Sequence, residues 1–160
     1  MGQSGIMWVR FPQRVMKMFI GEYNHTVDAK GRLNIPAKFR EQLNETFYIT
    51  KGLDECLFVF PEEEWKIFEE KLKALPLTNK SVRGFVRLFF AGAAECSFDK
   101  QGRIIIPAPL REYAHLEKEA KVIGVGTRVE VWSNQTWDNY SNPENISYEE
   151  IAEQMAELGI

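Results

Sequence analysis

A thirteen-residue segment occurs twice in this chain, and the duplication limits the possible folds more than any other feature. Residues 28–40, Asp-Ala-Lys-Gly-Arg-Leu-Asn-Ile-Pro-Ala-Lys-Phe-Arg, return as residues 99–111, Asp-Lys-Gln-Gly-Arg-Ile-Ile-Ile-Pro-Ala-Pro-Leu-Arg, with seven identical positions. A repeat of this period indicates one supersecondary unit used twice. The surface function of the unit is then expected to be duplicated too, which suits a symmetric or repetitive ligand better than a small substrate.

The match continues on both sides of the segment. It pairs Phe19 with Phe90 and Gly21 with Gly92 upstream, and, after a slip of one residue, Gly52, Val59 and Trp65 with Gly124, Val131 and Trp137 downstream. Each repeat therefore spans about 70 residues, a size at which an isolated core is only marginally stable. Either the two halves share a core, or the chain assembles into oligomers.

The charge of the chain is unevenly distributed. The 160 residues carry a net charge of -3, which by itself disfavours a nucleic-acid ligand. Residues 28–40 nevertheless carry a net charge of +3 and residues 99–111 one of +2, so the remaining sequence holds -8. A basic footprint on an acidic body is compatible with DNA binding.

The local patterns predict short strands and short helices without a βαβ rhythm, which is an α+β fold. Strands are predicted at residues 21–27, 32–35, 47–50, 57–60, 95–98, 103–106, 120–125 and 128–132. Helices are predicted at residues 36–43, 62–75, 80–91 and 107–114, with one more from about residue 133. A last helix is expected after the capping pattern Ser147-Tyr-Glu-Glu150.

The start of each repeated segment is typical of a hairpin turn. Asp28 and Asp99 can accept hydrogen bonds from the turn amides, and Gly31 and Gly102 supply the positive φ that a tight turn requires. The arginine that follows is open to two interpretations. Arg32 and Arg103 either pair with the aspartate across the turn, or lie exposed on its shoulder and contact phosphates or guanine edges.

Residues for catalysis or metal binding are almost missing from the sequence. His25 and His115 are not at equivalent repeat positions, and Cys56 and Cys96 match no metal-ligand spacing. There is no Gly-rich phosphate loop before a helix, no nucleophile elbow and no apolar run of membrane-spanning length. We expect a protein that is not an enzyme, needs no cofactor or metal, and does not enter a membrane.

The paired motifs Asp28-Ala-Lys-Gly-Arg32 and Asp99-Lys-Gln-Gly-Arg103, each followed by Ile-Pro and a short helix, resemble those of the bacterial MraZ family. The segment Arg87-Leu-Phe-Phe-Ala-Gly-Ala-Ala-Glu-Cys96 resembles the family's central helix and its exit. The resemblance covers about residues 18–158. It implies two tandem AbrB-like swapped-hairpin units (a double-split β-barrel), at residues 18–88 and 89–160. Residues 1–17 are expected to be an extension outside the fold.

The resemblance also implies a function. The family regulates transcription of the division and cell-wall gene cluster and forms rings, so we expect a cytoplasmic, nucleoid-associated homo-oligomer, an octamer or larger. Its partner would be double-stranded promoter DNA with tandem repeats. The family's DNA-contacting arginine maps onto Arg32 and Arg103, and Lys30, Lys38 and Lys100 would add phosphate contacts. The alternative is an AbrB-like interaction or scaffold protein, similar to an antitoxin, without sequence-specific DNA binding.

Overall fold

The computed structural model describes residues 18–159 of the chain. The extension expected at residues 1–17 lies outside the described residues. Within them the α+β prediction is confirmed, with the following elements: β1 Phe19–Thr26, β2 Arg32–Asn34, α1 Ala37–Leu43, β3 Phe47–Lys51, β4 Leu57–Pro61, α2 Glu62–Lys73, α3 Lys80–Ala91, β5 Ala94–Cys96, β6 Arg103–Ile105, α4 Ala108–Tyr113, β7 Glu119–Gly126, β8 Val129–Ser133, α5 Asn134–Ser141 and α6 Tyr148–Ala156.

The main sheet exchanges strands between the two sequence halves. Its order is β1-β7-β8-β4-β3-β5, all neighbours being antiparallel. The first strand of the first half, β1, pairs with β7 of the second half, and the first strand of the second half, β5, pairs with β3 of the first. The order is therefore symmetric about the β4–β8 pair. Each half completes its sheet with a strand from the other, which is the swapped arrangement.

The two strands that follow the turns form a separate ribbon. β2 pairs antiparallel with β6, with Arg32 opposite Ile105, Leu33 opposite Ile104 and Asn34 opposite Arg103. The expectation that each of these strands closes a hairpin with the strand before its own turn is therefore largely wrong. In the first half the two sides of the turn are joined by an isolated bridge from Val27 to Leu33 and by the hydrogen bond from the Asp28 amide to Arg32 O, and no longer ladder forms between them. The return strands pair across the two repeats instead.

The core lies on both faces of the main sheet. One cluster takes apolar residues from both repeats, including Leu33, Phe39, Ile104 and Leu110, and lies between the sheet and the ribbon with its helices α1 and α4. A second cluster, rich in aromatic rings, lies around α2, α3 and α5 and includes Trp65. The two repeats thus share a core, and β4 and β8 are buried along their whole length.

Two sequence matches outside the thirteen-residue segment do not correspond to equivalent structure. Phe19 begins β1, whereas Phe90 lies in α3, and Gly92 caps that helix. The end of α2 also differs from the prediction, because the helix stops at Lys73 and leaves Leu75 41% exposed. Pro76 explains this early end, since the residue before a proline is disfavoured in helical conformation.

Candidate nucleic-acid interface

Each turn is closed by its aspartate. Asp28 Oδ1 accepts hydrogen bonds from the backbone amides of Lys30 (3.0 Å) and Arg32 (2.9 Å), and its Oδ2 accepts one from Arg32 Nε at 2.6 Å. Asp99 repeats the pattern with the amides of Gln101 and Arg103, both at 2.9 Å, and with Arg103 Nε at 2.9 Å. Gly31 and Gly102 have φ of 82° and 77°. The same turn is thus built twice.

These hydrogen bonds favour the charged form of both aspartates. The backbone amide of Arg32 is the main cause of a pKa of Asp28 below 3.8, and the Arg32 side chain lowers the pKa further. The amide of Arg103 has the same effect on the pKa of Asp99. Both carboxylates are therefore ionised at neutral pH, when the turns are fully hydrogen-bonded.

The ribbon of β2 and β6 presents one buried and one outward face. Leu33 and Ile104 are 0% and 1% exposed and lie in the core. Because side chains alternate along a strand, the residues on either side of them face outward. This outward face, called the ribbon face below, consists of Arg32, Asn34, Arg103 and Ile105.

The ribbon brings the two arginines of the separate repeats together. Arg103 Nη1 lies 3.9 Å from Asp28 Oδ2, the atom that accepts the hydrogen bond of Arg32 Nε. Both guanidinium groups therefore lie around one carboxylate oxygen. The arginine side chains are 30% and 22% exposed, so they are restrained but accessible. Pairing with the aspartate and contact with DNA are both compatible with this geometry. The Nε atom donates to the aspartate of the turn, while the rest of the guanidinium group stays accessible at the surface.

Two further arginines, Arg40 and Arg111, hold the turns in place through contacts with the backbone. Arg40 donates from Nη1 to Ile35 O at 2.6 Å, and Arg111 makes the equivalent bond to Ile106 O. Each guanidinium also lies against the turn glycine of the other repeat: a Cβ on Gly31 would overlap Arg111, and one on Gly102 would lie 2.8 Å from Arg40 Nη1. The glycines are thus required for close approach as well as for their positive φ.

The turns are further joined by backbone hydrogen bonds across the repeats. The amide of Ile106 donates to Gly31 O at 2.8 Å, and that of Ile35 donates to Gly102 O at 3.3 Å. Sequence reasoning counted Arg40 and Arg111 as part of the basic footprint and missed this structural role. The sequence does contain a sign of this role, because arginine occupies the same place in both repeats, as the last of the seven identical positions of the segment.

The predicted lysines are less symmetric than the arginines. Lys30 and Lys100 are exposed but occupy different positions of the two turns, the third and the second. Lys38 is exposed on α1 and belongs to neither strand of the ribbon, and its counterpart in the second repeat is Pro109. The structure therefore places two lysines beside the ribbon and the third on a neighbouring helix.

Other candidate groups do not form a reactive centre. Within residues 18–159, no three side chains among His, Cys, Asp and Glu are grouped to hold a metal ion. Burial raises the pKa of the Cys96 thiol to about 12 and that of Cys56 further still, so both thiols stay protonated. In the same part of the chain, every helix is too short or too polar to cross a membrane.

Comparison with known proteins agrees with the paired motifs. The family model for the MraZ protein, whose description includes the words antitoxin-like, matches residues 18–88 and again residues 89–158. The chain belongs to the MraZ family. The predicted boundary between the repeats falls within α3 and remains a prediction.

Curated members of the MraZ family are similar over nearly their whole length. The chain is 66% identical over 143 residues to the transcriptional regulator MraZ of Alkaliphilus oremlandii (strain OhILAs), covering 89% of this chain and 100% of that protein. It is 65% identical over 141 residues to the protein of the same name from Carboxydothermus hydrogenoformans, covering 88% and 99%. The protein of that name from Clostridium tetani is 62% identical, with 89% and 100% covered.

Proposed function

We propose that the chain is a non-enzymatic, sequence-specific DNA-binding regulator of transcription, and that the ribbon face is its DNA-contacting surface. The observation that carries the proposal is the pairing of β2 with β6, which sets Arg32 and Arg103 diagonally across one outward face. A two-stranded ribbon is of a width that enters the major groove of B-DNA. The relatives named as transcriptional regulators support the same function.

The turn geometry suits arginine for base contacts. Asp28 takes the Nε hydrogen of Arg32, and among the described residues the two terminal nitrogens of Arg32 have no hydrogen-bond acceptor. Those nitrogens form the fork that matches the O6 and N7 atoms of guanine. The aspartate would limit the rotamers of the side chain in advance, which lowers the entropy lost on binding.

Phosphate contacts would supply most of the affinity that depends on salt. Lys30 and Lys100 flank the ribbon, and Lys38 extends the basic surface along α1. Lysine binds phosphate as a point charge, without the directional fork that identifies a base. These three lysines would therefore position the protein on DNA, while the arginines would select the sequence.

We also propose that the chain acts as a ring of eight or more copies at promoter repeats of the division and cell-wall gene cluster, at the nucleoid. Linked copies raise avidity without any new kind of contact. Large apolar side chains left exposed support an assembly: Leu88 and Phe85 on α3 are 62% and 40% exposed, and Leu77 before the helix is 68% exposed.

The proposal for DNA is tested with Arg32→Ala, Arg103→Ala and the double variant in gel-shift titrations on the chain's own promoter and on scrambled DNA. One bidentate contact is worth about 1–3 kcal/mol, so each single variant should lose at least about 5- to 150-fold in affinity, because every bound copy loses a contact, and the double variant should lose all specific binding. Lys73→Ala, which removes a 61% exposed cation on α2 outside both proposed surfaces, is the control. A double variant that binds the promoter as tightly as the parent contradicts the proposal.

The proposal for the ring is tested by light scattering. The parent should have the mass of eight or more copies at micromolar concentration. Leu88→Asp should reduce that mass, whereas Leu53→Asp, at a 59% exposed position in the loop before β4, should not. A monomeric parent would contradict the assembly without bearing on the DNA contacts.

The antitoxin-like description of the family model favours a second candidate, a scaffold whose tail binds a protein. The tail of this chain contains a capped helix, in which the amide of Glu150 donates to Ser147 Oγ at 3.3 Å. Partner-binding tails are commonly disordered when free. Amide hydrogen exchange of residues 148–156 in the full chain therefore separates the candidates: protected amides favour the regulator, and unprotected amides favour the scaffold.

A further inference from the structure

The ribbon face consists of two pairs of equivalent repeat positions, of which one pair carries the same residue and the other carries different residues. Arg32 and Arg103 occupy equivalent positions of the two repeats, and so do Asn34 and Ile105. The register sets Ile105 opposite Arg32 and Asn34 opposite Arg103. The ribbon face therefore has two rows that would be identical if positions 34 and 105 carried the same residue. In this chain one row contains an arginine and an isoleucine, and the other an arginine and an asparagine.

The fold does not explain the side chain of Ile105. Its neighbours Ile104 and Ile106 are 1% and 0% exposed and belong to the core, whereas Ile105 is 64% exposed beside a charged residue. Strand propensity explains why a β-branched residue stands at this position. It does not explain why that residue is apolar, since threonine also favours a strand. Asn34 is also exposed, and asparagine is disfavoured in strands. Both residues are therefore candidates for contact with a ligand.

The spacing of the ribbon face matches the spacing of base pairs. Residues that face the same side of a strand are about 7 Å apart, and residues opposite each other have Cβ atoms about 5 Å apart. Base pairs follow one another at about 3.4 Å. The two rows are thus about two base-pair steps apart, and within a row the second side chain lies next to the base that the arginine contacts.

We propose that Asn34 and Ile105 are specificity residues that make DNA recognition by one subunit asymmetric. Asn34 hydrogen-bonds the N6 and N7 atoms of an adenine beside the guanine of Arg103, and Ile105 packs on the methyl group of a thymine beside the guanine of Arg32. These are the major-groove groups that the two side chains match. The inference rests on the proposed function of the ribbon face. Because the rows differ, each subunit binds its site in one orientation.

The test is selection of bound duplexes from a randomised pool by the full chain, followed by sequencing. Asn34→Ile should lose the preference for adenine at one position, and Ile105→Asn the preference for thymine at another, each by about 5- to 150-fold on the duplex selected by the parent. Asn34→Gln and Ile105→Val, which retain the amide and the apolar branch, should keep the preference of the parent.

Two matched controls stand on β1. Ile20→Asn replaces an isoleucine that is 69% exposed, and Asn24→Ile replaces an exposed asparagine. Both should select the sequence of the parent. If Asn34→Ile and Ile105→Asn also select that sequence, with affinity unchanged within about twofold, the inference is overturned while the proposed function stands. If the parent enriches no sequence, the proposed function fails and the inference fails with it.

Discussion

Arginine occupies two positions of the repeated segment, and the structure gives them different tasks. Arg32 and Arg103 lie on the outward face of the ribbon, each paired with the aspartate of its own turn. Arg40 and Arg111 lie behind the turns, on backbone carbonyls and against the glycine of the other repeat. Substitutions at the two positions should therefore separate DNA affinity from stability.

We expect Arg40→Ala to lower the free energy of unfolding by roughly 1.5–3 kcal/mol, because the bond from its charged donor to Ile35 O is lost. Arg32→Ala should cost at most about 1 kcal/mol, since its ion pair is partly exposed. Urea denaturation of both variants measures the difference. Equal stabilities of Arg40→Ala and the parent would show that this arginine does not secure the turn.

Gly31 and Gly126 provide a matched pair for the glycine requirement. Their φ values are 82° and 77°, but a Cβ on Gly31 would overlap Arg111, whereas one on Gly126 would meet nothing within 4 Å. Gly126→Ala should cost about 1–2 kcal/mol in backbone strain. Gly31→Ala should cost about 1–3 kcal/mol more because of the overlap.

A double-mutant cycle isolates the overlap. In the Arg111→Ala background the guanidinium is gone, so the cost of Gly31→Ala should fall toward the strain seen at Gly126, with Ile106 O at 3.1 Å as the remaining close neighbour of the new Cβ. Thermal denaturation of the four proteins of the cycle gives the coupling. If the cost of Gly31→Ala is the same in both backgrounds, the close approach is not what excludes a side chain there.

At the scale of the element, the ribbon and its two turns depend on ionised aspartates. The folded pKa values of Asp28 and Asp99 lie below 3.8, so the unfolded chain binds protons first as the pH falls. The stabilisation is therefore present above about pH 3.8 and is lost as the pH falls through the folded pKa values.

This acid dependence can be measured at each carboxyl group. Carbon-detected NMR titration should give Asp28 and Asp99 pKa values below 3.8, and Asp28→Asn should remove part of the loss of stability in acid. Titration of Asp28 at or above 3.8 would show that the turn amides do not hold its carboxylate.

At the scale of the whole molecule, the exchanged strands make each repeat depend on the other. All eight residues of β1 pair with β7, and among the strands of residues 18–159 the single partner of β5 is β3. A fragment of residues 18–88 contains β1 but lacks β7, and a fragment of residues 89–159 contains β5 but lacks β3. Neither fragment should fold as a monomer.

Circular dichroism and sedimentation of the two fragments test this dependence. Each fragment alone should be unfolded at low concentration, and an equimolar mixture should recover the spectrum and the cooperative melting of the full chain. A fragment that folds cooperatively as a monomer would mean that the pairing of β1 with β7 is dispensable for folding.

The sequence alone determined the parts of this protein whose causes are local. The turn needs Asp28 and Gly31 within one four-residue segment, and the hydrogen bonds of the Asp28 side chain reach no further than Arg32. Its repetition at Asp99 and Gly102 could therefore be predicted from spacing. The short strands and helices, and with them the α+β class, follow from periodicity and from Pro36 and Pro107, which precede α1 and α4.

Only the tertiary structure decided which strands pair. A strand pattern specifies which side chains are buried but not which distant backbone supplies the hydrogen bonds, so β2 fits a local hairpin as well as its true partner β6. The role of Arg40 depends on Gly102, a residue of the other repeat. The juxtaposition of Arg32 with Arg103 has the same origin, because contacts between residues far apart in the chain are set by packing of the shared core and leave no local signal.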